Sequence, residues 1–123
     1  MNYVYVFIGG GIGAAARYYL SGIVYRWLPT NFPYGNLVVN ILGCFAIGVL
    51  MTSLEERFLV NPTFRLFLTI GILGGFTTFS SFSYETISLF RNGELLFGSL
   101  NAAGSLIGCL IATVLGIMIG KLI

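Results

Sequence analysis

Gly71-Ile72-Leu73-Gly74-Gly75-Phe76-Thr77-Thr78-Phe79-Ser80-Ser81-Phe82-Ser83-Tyr84-Glu85 is apolar enough to lie in lipid, yet it is a poor helix. A Gly-Gly pair stands beside two β-branched threonines, and both residue types lower helix stability. A broken helix is tolerated at membrane depth where the freed carbonyls line a cavity or bind an ion. The start of the second half-helix also offers N–H groups to an anion. Thr77, Thr78, Ser80, Ser81 and Ser83 add hydroxyl donors. Phe76, Phe79 and Phe82 recur every third residue, so neighbouring rings share a broad face. Aromatic stripes mostly fill cores, but ring edges are electropositive and, turned toward a narrow path, can hold a small anion without a fixed charge.

The surrounding composition places this stretch in a membrane. Of 123 residues 57% are hydrophobic and 8% charged, with six Lys or Arg, four Glu, no Asp and no His. A soluble domain carries about 25% charged residues, and a mean hydropathy of +0.94 makes lipid the solvent for most of the surface. The two cysteines, Cys44 and Cys109, are far apart in sequence, so neither a metal site nor a His-based triad is expected. Hydrolytic and metal chemistry are not expected on the same ground.

Charges punctuate the chain into apolar stretches at 1–16, 27–54, 66–84 and 95–120. A crossing helix needs about 20 apolar residues, so residues 1–123 read as a single all-α membrane domain of four transmembrane helices. The first runs on toward Tyr25 and the third from Leu66 to Phe90, broken near Gly74–Thr78. Connections are short: 27–35 with two prolines, Glu55 to Arg65 with Asn61-Pro62, and Arg91-Asn92-Gly93-Glu94. An apolar start ending in Ala14-Ala15-Ala16 imitates a secretory signal, but nothing basic precedes Arg17. Gly9-x-Gly11-x-x-Ala14 imitates a dinucleotide motif, but lacks the later acidic residue and the βαβ context. Gly9 and Gly13 fit close helix packing instead.

Four spans put Arg57, Arg65 and Lys121 on one side, and Arg17, Arg26 and Arg91 toward the other. Basic bias sets orientation, so a chain with no bias is expected to insert both ways and to form an antiparallel homodimer about an axis in the membrane plane. Within the spans, Gly104, Gly108, Ala112, Gly116 and Gly120 make a stripe for close backbone approach. Beside it run Asn101, Ser105, Cys109 and Thr113, open between helix packing, at about 0.6 kcal/mol per polar contact, and pore lining. Asn36 and Asn40 share a face of the second span. An amide in hydrocarbon must bond a neighbour or face water, which makes the deeper Asn40 a functional candidate.

These residues resemble the small dual-topology fluoride channels of bacteria, the Fluc or CrcB family. The resemblance spans the whole chain and rests on Gly13-Ala14-Ala15-Ala16-Arg17-Tyr18, Gly35-Asn36-Leu37-Val38-Val39-Asn40 and, most specifically, Gly74 through Glu85. It implies a multi-pass protein of the bacterial inner membrane that confers fluoride resistance. It also implies an antiparallel homodimer with two fluoride pores and a central structural Na⁺ held by backbone carbonyls. By motif position the Na⁺ ligands would be Gly74 and Thr77 of both subunits. Phe79 and Phe82 would be the pore phenylalanines, Asn40 would donate to fluoride, and Ser80 and Ser81 would lie along the anion track. Arg17 would sit near an aqueous vestibule. In the fourth span a family tyrosine corresponds to Asn101, followed by Ser105 and by Cys109 where a serine can occur. Glu85 resembles a recurrent family acid close to the pore.

A small multidrug or quaternary-ammonium exporter has the same length and architecture. Such a transporter needs a carboxylate embedded in the first span to bind cations and exchange protons, and this first span has none. A purely structural membrane subunit is the third reading. The motif match favours the fluoride channel, and the resemblance implies passive efflux, with no ATP motif in the chain to drive it.

Overall fold

The computed structural model describes residues 1–56 and 61–123, and within them no strand occurs. Helix α1 runs Asn2–Trp27, α2 Tyr34–Glu56, α3 Pro62–Leu66, a π-helix Phe67–Leu73, α4 Gly74–Phe76, α5 Phe79–Arg91 and α6 Leu95–Leu122. Three helical stretches are long and apolar enough to cross a membrane: Tyr34–Glu55, Pro62–Arg91 and Leu95–Leu122. Helix α1 has 26 residues, about 39 Å at 1.5 Å per residue, but its five tyrosines and two arginines make it less apolar.

Local chemistry explains the ends. Helix α1 stops before Pro29, and α2 starts just after Pro33. Asn61 caps α3, its side chain accepting from the Thr63 N–H at 2.7 Å, with Pro62 next. The third helical region therefore starts at Pro62, four residues earlier than its hydropathy suggests, and Phe64 and Arg65 are helical rather than loop. Arg57, counted above among the basic residues, lies outside the described residues. Arg65 pairs with Glu55 at 2.8 Å. Gly93, at φ 81°, supplies the left-handed residue of the α5–α6 turn.

Helices α2 and α6 form the most extensive contact, and α1 packs chiefly on the π-helix and α4. Both contacts depend on missing side chains. A Cβ on Gly9 would lie 2.8 Å from the Phe67 carbonyl oxygen and 2.9 Å from Gly71 Cα, and one on Gly13 would overlap the Ile72 carbonyl. The expected small-residue seam of α1 is thus present. On α6, Ala112, Gly116 and Gly120 are buried toward α2, whereas the expected stripe fails at Gly104, which faces open space.

The helix does break, but not at the glycines. Gly74 is helical at φ −63°, ψ −36°, while Thr77 (−90°, 154°) and Thr78 (−149°, 122°) are extended. Gly75 serves packing: a Cβ there would reach within 2.9 Å of Gly10 Cα on α1. The π-helix before the break had no signature in the apolar pattern. The extended pair also takes Phe76 away from the other two rings and places it near Gly43 of α2.

Candidate functional site at the helix break

An α-helix ending at Phe76 leaves its last carbonyls without N–H partners four residues on. Other groups answer the freed N–H and C=O groups at this break. The Thr78 N–H, which a continuous helix would give to Gly74, is taken by Asn40 Oδ1 at 3.0 Å. Asn40 Nδ2 in turn donates to the Thr78 carbonyl at 3.1 Å. One side chain of α2 thus replaces both backbone partners of the extended residue. Arg17 Nε donates to the Gly75 carbonyl at 3.2 Å. Thr78 Oγ1 caps α5 by accepting from the Ser81 N–H at 3.3 Å. Thr77 Oγ1 bonds back to the Leu73 carbonyl at 3.0 Å.

Around the break lies a cavity of about 250 Å³ lined by Asn40, Cys44, Thr77, Thr78, Phe79, Phe82, Ser105, Leu106 and Cys109. The Phe79 and Phe82 rings meet at 5.2 Å with their planes 52° apart. Phe82 is half-buried, but Phe79 is 77% exposed in the single chain. Asn40 still has a second amide hydrogen, since only one of its two N–H donors is needed for the Thr78 carbonyl.

The structure places the other residues singled out from the sequence as follows. Ser80 and Ser81 stand beside the cavity, their hydroxyls 3.1 and 3.4 Å from Thr78 Oγ1. Ser105 lines the wall and donates to Asn101 Oδ1 at 3.3 Å. Asn101 is 2% exposed and does not line the cavity. Its amide donates to Thr86 Oγ1 at 2.8 Å, and that hydroxyl bonds the Phe82 carbonyl at 2.7 Å. Asn101 therefore ties α6 to the helix that carries the phenylalanines. Glu85 is half-buried and accepts a hydrogen bond from Asn36 Nδ2. Arg17, half-buried, is held at the break by its bond to Gly75. Gly74 and Thr77 line a second cavity of about 170 Å³ together with Gly43, Cys44, Ile47, Thr69 and Leu73.

Cys44 and Thr86 were not singled out. Cys44 lies one helical turn beyond Asn40, so the spacing of Asn36 and Asn40 pointed to it. Thr86 carried no such signal, because its role depends on α6 crossing α5. Cys44 and Cys109, 65 positions apart in sequence, line one cavity in the fold. Among the described residues no group of three or more His, Cys, Asp or Glu side chains converges.

Comparisons with known proteins identify the family. The family described as CrcB-like protein, Camphor Resistance (CrcB), matches residues 4–117. A protein of Geotalea uraniireducens named fluoride-specific ion channel FluC is 49% identical over 96% of this chain and 95% of its own length. One of the same name from Geotalea daltonii is 50% identical over 96% of this chain and 97% of its own length. Another, from Ruminiclostridium cellulolyticum, is 47% identical over all of this chain and 95% of its own length. A match over nearly the whole length, covering the break and every helix that lines the cavity, means that this chain belongs to the CrcB family.

Proposed function

We propose that this chain is a subunit of a fluoride-selective channel, not an enzyme, and that it lets fluoride leave the cytoplasm passively across the inner membrane. The single observation that carries the reading is the cavity at the helix break, where an amide, hydroxyls and two phenylalanine rings converge with no carboxylate on the wall. The names of its relatives support the same substrate. Fluoride holds its water strongly, so a pore must replace that water with donors yet bind weakly enough to release the ion. The second N–H of Asn40 and the electropositive edges of Phe79 and Phe82 are such donors, and none carries a formal charge. Asn101, through Thr86, keeps the α5 backbone at Phe82 in place. Ser80 and Ser81 extend the hydroxyl track, Glu85 is held by Asn36, and Arg17 fixes the α1 side of the break.

In this reading α1 also crosses the membrane, making four spans in all, and two copies pair antiparallel, giving two pores per homodimer. Phe79 supports the pairing, because a ring 77% exposed on one chain needs a second surface to close a path around it. The carbonyls of Gly74 and Thr77 fit a structural Na⁺. The Thr78 and Ser81 N–H groups that would occupy them in a continuous helix are bonded to Asn40 and Thr78 Oγ1 instead, which leaves neutral oxygen donors of the kind that binds Na⁺ at unwound helices. When bound, the ion would supply a fixed positive charge between the two breaks.

The test is ion efflux from liposomes carrying the purified chain. Fluoride-loaded vesicles should empty and chloride-loaded vesicles should not. Efflux of quaternary ammonium ions driven by a proton gradient, without fluoride flux, would favour the exporter reading.

A further inference from the structure

Cys44 on α2 and Cys109 on α6 face each other across the α2–α6 contact, line the same cavity and are free of disulfides. Their backbones are held in that arrangement. The Thr113 hydroxyl is 3.0 Å from the Cys109 carbonyl and 3.3 Å from the Cys44 carbonyl, so one side chain is shared between the two cysteine backbones. Close packing flanks them on both sides. A Cβ on Gly116 would overlap the Phe45 carbonyl and lie 3.0 Å from the Val49 nitrogen, and one on Gly108 would lie 3.3 Å from Ile41 Cδ1. The helices cannot drift apart without giving up these contacts.

We propose that Cys44 and Cys109 form a two-thiolate site for a soft metal cation, and that a cation held there obstructs the cavity. Thiolates select soft cations and leave hard ones such as Mg²⁺ and Ca²⁺ to oxygen ligands. As each metal–sulfur bond forms, one thiol proton is released, and no electron changes hands. A divalent cation displaces two protons and leaves a neutral unit, which suits a wall made largely of apolar side chains. Metal binding rests on the geometry alone, whereas obstruction of flux rests on the cavity being the fluoride path.

The probe is Cd²⁺, added to the detergent-purified full chain under a non-metal-binding reductant and then to both faces of proteoliposomes. Thiolate-to-cadmium charge-transfer absorption should saturate at one Cd²⁺ per chain, and fluoride efflux should fall and return on adding EDTA. Cys44→Ser and Cys109→Ser should each raise the Cd²⁺ concentration for half-saturation by more than about tenfold, since even outer partners of metal ligands are worth 10–100-fold. Each variant's flux is normalised to its own metal-free rate. Alkylating the wild-type thiols before Cd²⁺ gives the same comparison with no substitution, should a variant fail to fold. An absorption band unchanged in either serine variant, or surviving alkylation, would overturn the site. Saturable dithiol binding with undiminished efflux would uphold the site and contradict the cavity as the fluoride path.

Discussion

Asn40 is the side chain on which the break depends, and removing it has a cost that can be worked from the structure. Asn40→Ala deletes the bond from the Thr78 N–H, at 3.0 Å, and the bond to the Thr78 carbonyl, at 3.1 Å. Each is worth about 0.5–1.5 kcal/mol net, and a buried polar group left unpaired costs about 1–3 kcal/mol. Thr78 is half-buried against a cavity large enough for water, so the penalty falls toward the lower end, about 2–4 kcal/mol for the pair of bonds. Asn40→Asp keeps the acceptor for the Thr78 N–H but loses the donor to its carbonyl, so it should lose about half as much stability. It should nevertheless lose all fluoride flux, because an ionised carboxylate in the cavity repels the anion. Unfolding in mixed detergent micelles gives the first quantity and efflux from liposomes the second. An alanine variant as stable as the wild type would refute the claim that Asn40 holds the break open, and an aspartate variant with normal flux would refute its place on the ion path.

Three further outcomes follow from the same contacts. Gly13→Ala would put a methyl against the Ile72 carbonyl and 2.8 Å from the Phe76 nitrogen. Because backbone cannot step aside, it should destabilise the fold by about 1–3 kcal/mol or more, measured by the same unfolding assay, with Gly104→Ala, in open space, close to neutral. Replacing Na⁺ by a large organic cation for long enough to allow slow exchange should lower dimer stability, since a ligand bound only by the folded state stabilises it; a dimer indifferent to Na⁺ would count against carbonyl ligation at Gly74 and Thr77. Reporter fusions after Ile123 should show populations on both sides of the membrane, and two lysines added beside Lys121 should bias them; a single wild-type orientation would contradict the antiparallel pair.

Much of the site could be read in the sequence because its chemistry is local. Five hydroxyl residues beside a Gly-Gly pair in one apolar segment point to a break, and an asparagine deep in α2 needs a partner. Where sequence misled, the decisive contact came from another helix. Gly74 and Gly75 looked like the break, yet the glycines lie in regular helix and make room for α1, while Asn40 draws Thr78 out of the helix. The spacing left Asn101 open between packing and pore lining, and the contact that partners its amide, Thr86 where α6 meets α5, comes from another helix as well. That Cys44 and Cys109 line one cavity is a property of the α2–α6 crossing, which small residues permit and no spacing along the chain reveals. The π-helix, likewise, adds no hydropathy signal of its own.

The rings on the cavity wall give the most direct test of the central claim, that the ion passes through the break. Phe79→Ile and Phe82→Ile together keep apolar bulk but remove the electropositive edges of two rings whose centroids lie 5.2 Å apart. As mere packing they should cost about 1–3 kcal/mol for imperfect repacking, and folded dimers would still conduct. As part of the path their loss should abolish transport. The measurement is fluoride efflux, recorded with an electrode, from liposomes holding equal numbers of wild-type or double-variant dimers, with Phe64→Ile on the half-exposed α3 as control. The account predicts rapid efflux from wild type and Phe64→Ile and none above protein-free leak from the double variant; wild-type efflux through the double variant would contradict it.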